Sequence, residues 1–179
     1  MTLGPIAELA ASARVLMRGS RVRWWLVGGV ALSVSAGRCW RDHEDIDIAT
    51  LNLNLLDTHL RRLEETGVLL AVDGHRRYAS ARFERRLTVD FVLSAGDAAC
   101  WIYRRNPALR VEWSEAVLYS ADGVPYLAPE LVLLGKSHSR RPHDEADALE
   151  VIPMLRPDRR MFLAELLDPD HPWRGLLSP

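Results

Sequence analysis

The stretch "HEDIDIAT", residues 43–50, sets two aspartates on either side of one isoleucine. On a strand, residues i and i+2 point to the same side, so Asp45 and Asp47 project together with backbones about 7 Å apart, and both carboxylates can reach one ion. Two carboxylates opposite an apolar face formed by Ile46 and Ile48 are costly without a counter-charge. Mg²⁺ suits the arrangement, because it prefers a few carboxylates together with substrate phosphate oxygens. Asp90 is a third candidate, a lone acid in the apolar run "LTVDFVL". Beside "DIDI" in one sheet it completes a three-carboxylate site for one or two ions, with a further role as general base. Taken alone, "DID" also fits a solvated edge strand or a helix cap.

Phosphate handling has its own signal upstream. "VRWWLVGG" is an apolar run that stops at Gly28 and Gly29. A residue without Cβ lets a phosphate approach the backbone, and a helix that follows offers N–H groups and the positive end of its dipole. Paired glycines also end many unrelated strands. It is their combination with the carboxylates that points to phosphate chemistry.

The elements that must position these groups follow from periodicity. "PIAELAASARVLM" has helical spacing, and "VRWWLV" reads as a buried strand. "VALSVSAG" reads as a short helix capped by Gly37, and "DIDIAT" as a strand of period two. "LNLLDTHLRRLEETG" reads as an amphipathic helix, followed by short strands in "LLAV", "RRYASARF" and "LTVDFVL". Asp122-Gly123 marks a tight turn, and Pro129 opens a helix through "ELVLLGKSHS". "RPHDEADALEVIPMLR" and "PDRRMFLAELL" continue as helices, each opened by a proline. The expected division is therefore residues 1–128 and a C-terminal helical region, 129–179.

Composition excludes several classes. With 179 residues and 48% hydrophobic content the chain can bury one substantial core. Its 23 Lys and Arg stand against 24 Asp and Glu, so neither nucleic acid nor an anionic membrane surface is expected as partner. No apolar run approaches the roughly 20 residues that span a bilayer. Cys39 and Cys100 form no CxxC pattern and read as reduced thiols in a cytoplasmic protein without a leader. Of the six tryptophans, five read as packing residues; Trp40 lies inside the motif region and is a candidate ligand contact.

"GG" before a short helix, "GRCWRDHEDIDI" and a distant strand Asp resemble the nucleotidyltransferases of the polymerase-β superfold, particularly the aminoglycoside and lincosamide nucleotidyltransferase group. The resemblance extends through "DGVPYLAPELVLLGKSHSRRPHDEAD" and covers about Trp24 to Leu155. It implies an α+β fold, a mixed sheet flanked by helices with a small helical region after it. It also implies Asp45, Asp47 and Asp90 as metal ligands, with Asp90 as base, and nucleotide contacts at Gly28, Gly29, Arg38, Arg41, His43 and Lys136. For either arginine the alternative is a surface pair with Asp42 or Glu44, and His43 also fits a packing role. Asp144 and Asp147, three apart on one helix face, could hold Lys136 or bind substrate amines, and fit a solvated acidic face with local ion pairs at least as well. The chain departs from the "GGWALD" of many relatives at Val30 and Ser33, and His143 stands where lysine is frequent.

The implied reaction moves a nucleoside monophosphate, AMP from ATP or its counterpart from another nucleoside triphosphate, onto a hydroxyl of a small, cationic acceptor such as an aminoglycoside, with Mg²⁺ and the triphosphate as cofactors; a neutral sugar or a protein hydroxyl also fits. Two other readings remain: an antitoxin-type module acting on or binding a HEPN-type toxin, and a catalytically silent ligand-binding domain. Retention of all three carboxylates speaks against silence.

Overall fold

A computed structural model describes residues 5–63, 67–72, 75–80 and 87–177. The chain opens with helix α1 (Pro5–Leu16), strand β1 (Trp24–Val27), helix α2 (Gly28–Ala36) and strand β2 (Asp45–Thr50). Helix α3 (Leu53–Leu63) leads to β3 (Gly67–Val72), β4 (His75–Ser80) and β5 (Leu87–Leu93). Strands β1 to β5 lie in a seven-stranded sheet of order β3-β4-β5-β2-β1-β10-β9, completed by β9 (Val117–Tyr119) and β10 (Pro125–Leu127). The sheet is mixed: β2 runs parallel to β5 and β1 parallel to β10, whereas β1 and β2 are antiparallel. With its flanking helices this is an α+β fold with a mixed sheet, as expected.

Residue type explains the central elements. In β2, Ile46 and Ile48 are fully buried while Asp45 and Asp47 on the alternate positions are half-buried, as period-two alternation requires. Helix α2 buries Gly29 through Ser33 in one run and therefore sits between layers rather than at the surface. It contacts β1, β2 and β10 on the sheet side, and α1, α5 (Pro129–Lys136) and α6 (Pro142–Val151) elsewhere. From Pro129 the described chain is helical, with a 3₁₀ turn at Ile152–Met154, α7 (Pro157–Leu166) and α8 (Arg174–Leu177). Each of α5, α6 and α7 starts on proline, whose missing N–H is no loss in a first turn.

Four local readings are revised. The two glycines do not precede the helix; they are its first residues, entered from extended Val27, with Gly28 at φ +66° making the change of direction. "HDEADALEVIPM" is not one helix, because α6 ends at Val151 and Pro153 falls in the 3₁₀ turn. A second sheet, β6 (Ala95–Gly96), β7 (Cys100–Ile102) and β8 (Arg110–Glu112), was not expected, nor was the single turn α4 (Trp113–Ala116) after it. Trp113 fills the space that Gly96 leaves open and meets Trp25 edge-on at 5.3 Å, which ties this small sheet to β1. The end of the helix predicted through residues 64–66 and the end of "RRYASARF" lie outside the described residues.

Candidate active site

Register brings the three aspartates together. In the parallel pair β2–β5, Asp47 stands opposite Asp90, and Asp45 is two residues earlier on the same face of β2. One carboxylate oxygen from each of Asp45, Asp47 and Asp90 lies within 4.8 Å of the others. On the other side, Asp47 is the partner of Val27, the last residue before α2. The end of β1 thereby delivers the first turn of α2 directly to the carboxylates.

That approach is possible only with glycine. A Cβ on Gly28 would overlap Asp47 Oδ2, and a positive φ there already disfavours any other residue. A Cβ on Gly29 would overlap Arg41 Nη2 and press on the His43 ring. Both glycines therefore serve close approach, with an acid group against one and basic groups against the other.

The electrostatics of the triad favour a counter-cation. Burial first, then the neighbouring charges of Asp45 and Asp90, push the Asp47 carboxyl up to about 7, against the pull of Lys136 and Arg141. Because the folded state favours the protonated form, this group supports stability fully below about pH 4, and the support is lost as pH rises through about 7. A divalent ion held by the three carboxylates would supply counter-charge where Asp47 is ionised. The upward shift in melting temperature on adding Mg²⁺ is therefore expected to be larger near pH 8 than near pH 5.5. Equal shifts at the two pH values would contradict this picture of the triad.

The basic stretch after α2 is organised by the C-terminal helices. Arg41 donates from Nε to Asp147 Oδ1 at 2.8 Å and from Nη2 to Asp147 Oδ2 at 3.0 Å. Trp40 Nε1 donates to the same Oδ1 at 3.0 Å. Lys136 Nζ bridges Asp144 Oδ1 at 2.7 Å and Asp147 Oδ2 at 3.0 Å. Asp144 also accepts from Ser139 Oγ and from the Arg141 backbone N–H and Nε. Burial alone would raise both carboxyl groups, yet these cationic donors hold Asp144 and Asp147 below the ordinary range.

Several residues sit differently from the expectation. Arg41 pairs with Asp147 rather than with the side chains of Asp42 or Glu44, and Arg38 pairs with Glu150 at a half-exposed site. The charges of Asp144 and Asp147 are engaged by Lys136, Arg41 and Arg141, so they do not face an acceptor as bare carboxylates. Ser33, noted only as a departure, is fully buried and hydrogen-bonded to His43 Nε2 at 2.8 Å. Burial and nearby Arg41 lower the His43 pKa, which favours the neutral ring. His143 lies 3.5 Å from Asp144 Oδ1. Trp40 hydrogen-bonds Asp147, a partner that no local sequence signal identifies.

Comparison with known proteins agrees with this geometry. A sequence model of the aminoglycoside-2''-adenylyltransferase family matches residues 11–99. The crystal structure of the lincosamide antibiotic adenylyltransferase LnuA, lincomycin-bound, is similar with a TM-score of 0.58 at 18% identity, covering 78% of this chain and 92% of that one. ANT(2'')-Ia in complex with adenylyl-2''-tobramycin gives 0.51 at 16% identity, over 89% and 86% of the two chains. An antigenic nucleotidyltransferase-like protein from Paracoccidioides brasiliensis gives 0.56 at 17%, over 96% and 91%. No curated protein sequence matches significantly. The fold is that of the nucleotidyltransferases, with the three aspartates gathered at the end of β1. Within that class it is similar to the aminoglycoside and lincosamide nucleotidyltransferase family. Among the described residues no helix is long and apolar enough to cross a membrane.

Proposed function

We propose that the protein transfers AMP from ATP to a hydroxyl of a small, cationic acceptor of the aminoglycoside or lincosamide kind. The observation that carries this reading is the convergence of Asp45, Asp47 and Asp90 at the first turn of α2. The triad fits Mg²⁺: three hard oxygen donors lie within 4.8 Å of one another, and burial together with repulsion by Asp45 and Asp90 raises Asp47. Asp45, Asp47 and Asp90 would hold the metal, which supplies charge neutralisation at the α-phosphate and the leaving pyrophosphate when bound.

The chain's own groups perform the rest. Gly28 and Gly29 let Asp47, Arg41 and His43 close on the first turn of α2, and the free N–H groups of a helix start suit phosphate oxygens. Arg41, with His43 as a neutral hydrogen-bonding neighbour, borders the same turn. Arg38 and Lys136 are held by Glu150 and by Asp144 and Asp147 respectively. Asp90 takes the proton of the acceptor hydroxyl as its oxygen bonds to the α-phosphorus. The bond from that phosphorus to the bridging oxygen then breaks, and pyrophosphate leaves. Residues 1–128 thus carry the nucleotide chemistry, and the helices of 129–179 brace it from behind. Support for the acceptor class comes from the family match over residues 11–99.

Pyrophosphate release with each of the four ribonucleoside triphosphates, across aminoglycosides, lincosamides and neutral sugars, tests the reading. Release with ATP that depends on an amine-bearing acceptor is the expected result. Release only with a toxin protein as acceptor, or none with any compound, would overturn it.

A further inference from the structure

A buried carboxylate with its full complement of donors is an ordering device when one of those donors faces a ligand site. Asp147 is such a group. It is fully buried, and its two oxygens receive four N–H donors: Arg41 Nε and Trp40 Nε1 on Oδ1, Arg41 Nη2 and Lys136 Nζ on Oδ2. A carboxylate has about four lone-pair sites, so these donors saturate it and fix the guanidinium plane. Lys136 is itself nearly buried and held on its other side by Asp144, which makes the cluster rigid from α5 through α6.

The edge of the guanidinium that donates to Asp147 also borders the first turn of α2. Arg41 Nη2 occupies the space beside Gly29 in the first turn of α2, next to the His43 ring. The bonds to Asp147 and to the Asp42 carbonyl use three of the five Arg41 N–H groups. A quarter of the Arg41 side chain is exposed, whereas Asp147 is completely enclosed. Chain position gives no hint of this link, since Arg41 and Asp147 are 106 residues apart.

We propose that Asp147, backed by Lys136, is a positioning residue that aims Arg41 across the first turn of α2 at the triphosphate. Nucleotide binding is thereby coupled to the docking of α5 and α6 against α2. Lys136 on this account acts through Asp147 rather than by touching phosphate, and the α6 acids serve the nucleotide side of the site rather than the acceptor. The inference rests on the nucleotidyltransferase reading above.

The test is a double-mutant cycle of Arg41→Ala and Asp147→Asn, read as the KM and dissociation constant for ATP, and as binding of inorganic tripolyphosphate in Mg²⁺, beside melting curves. Each single change is expected to weaken ATP and tripolyphosphate binding roughly 10-fold or more, the scale of one charge-assisted hydrogen bond, with the loss falling on KM rather than kcat. In the Arg41→Ala background, Asp147→Asn is expected to add nothing further. If Asp147→Asn does not fold, Asp147→Glu keeps the charge but displaces the oxygens, and the same non-additive loss is expected of it. Fully additive effects, or a drop in melting temperature with unchanged binding per folded molecule, would overturn the positioning role alone. Wild-type protein that binds neither ATP nor tripolyphosphate would instead overturn the nucleotidyltransferase reading, and the positioning role with it.

Discussion

Asp47→Asn is expected to lower transfer by roughly 10³-fold or more, because a metal site of this kind supplies several kcal/mol of charge stabilisation in the transition state. Asp47 is the most constrained of the three acids. It stands opposite Asp90 on β5 and Val27 on β1, and its Oδ2 lies where a Cβ on Gly28 would be. The isosteric amide keeps that shape and removes the charge. It also removes the buried charge whose desolvation, together with repulsion by Asp45 and Asp90, raises the carboxyl to about 7, so without Mg²⁺ near pH 8 the variant should melt no lower than wild type. The Mg²⁺-induced rise in melting temperature should disappear together with activity. Substantial turnover in this variant would remove Asp47 from the metal site. A destabilised variant that still responds to Mg²⁺ would show that its role is structural.

Asp90→Asn separates binding from chemistry. If Asp90 accepts the acceptor's proton while Asp45 and Asp47 retain most of the nucleotide affinity, turnover should fall by roughly 10² to 10⁴ with ATP binding largely preserved. Calorimetry of Mg²⁺ and ATP binding, run with an activity assay and melting curves, reads all three quantities. Normal turnover per folded molecule would exclude Asp90 from the mechanism. Loss of activity only in proportion to unfolded protein would assign it to the fold.

The triad was legible in the sequence because the first four residues of β2 alternate. Ile46 and Ile48 had to face the core, which left Asp45 and Asp47 on the other side. Asp90 was legible as the one acid in an apolar strand, but its register was not. Placing it opposite Asp47 depends on β5 pairing parallel with β2 across 43 positions, and strand order is set by the whole sheet rather than by local pattern. The small β6–β8 sheet escaped notice because strands of two or three residues are too short for alternation to register.

The basic residues show the same limit from another side. Charge identified Arg38, Arg41 and Lys136 as candidates, yet nearest acids in sequence were poor guides to their partners. The C-terminal helices supply Glu150 to Arg38 and Asp147 to Arg41. Helical spacing of Asp144 and Asp147 correctly put both on one face toward Lys136. The third partner, Arg41, enters only through tertiary packing of α6 against α2. Gly28 reads as a turn residue in sequence; its more demanding task, clearing Asp47, becomes visible only when β1 and β2 are paired.

The central claim is that an α-phosphorus, not a γ-phosphorus, is transferred at the carboxylate triad. Incubating the protein with Mg²⁺, an aminoglycoside or lincosamide acceptor, and ATP radiolabelled at either the α- or the γ-phosphate tests it directly. The account predicts that α-label appears on the acceptor in equal amount to the pyrophosphate released, and that γ-label is found only in pyrophosphate. Transfer of γ-label to the acceptor, leaving ADP, would contradict it.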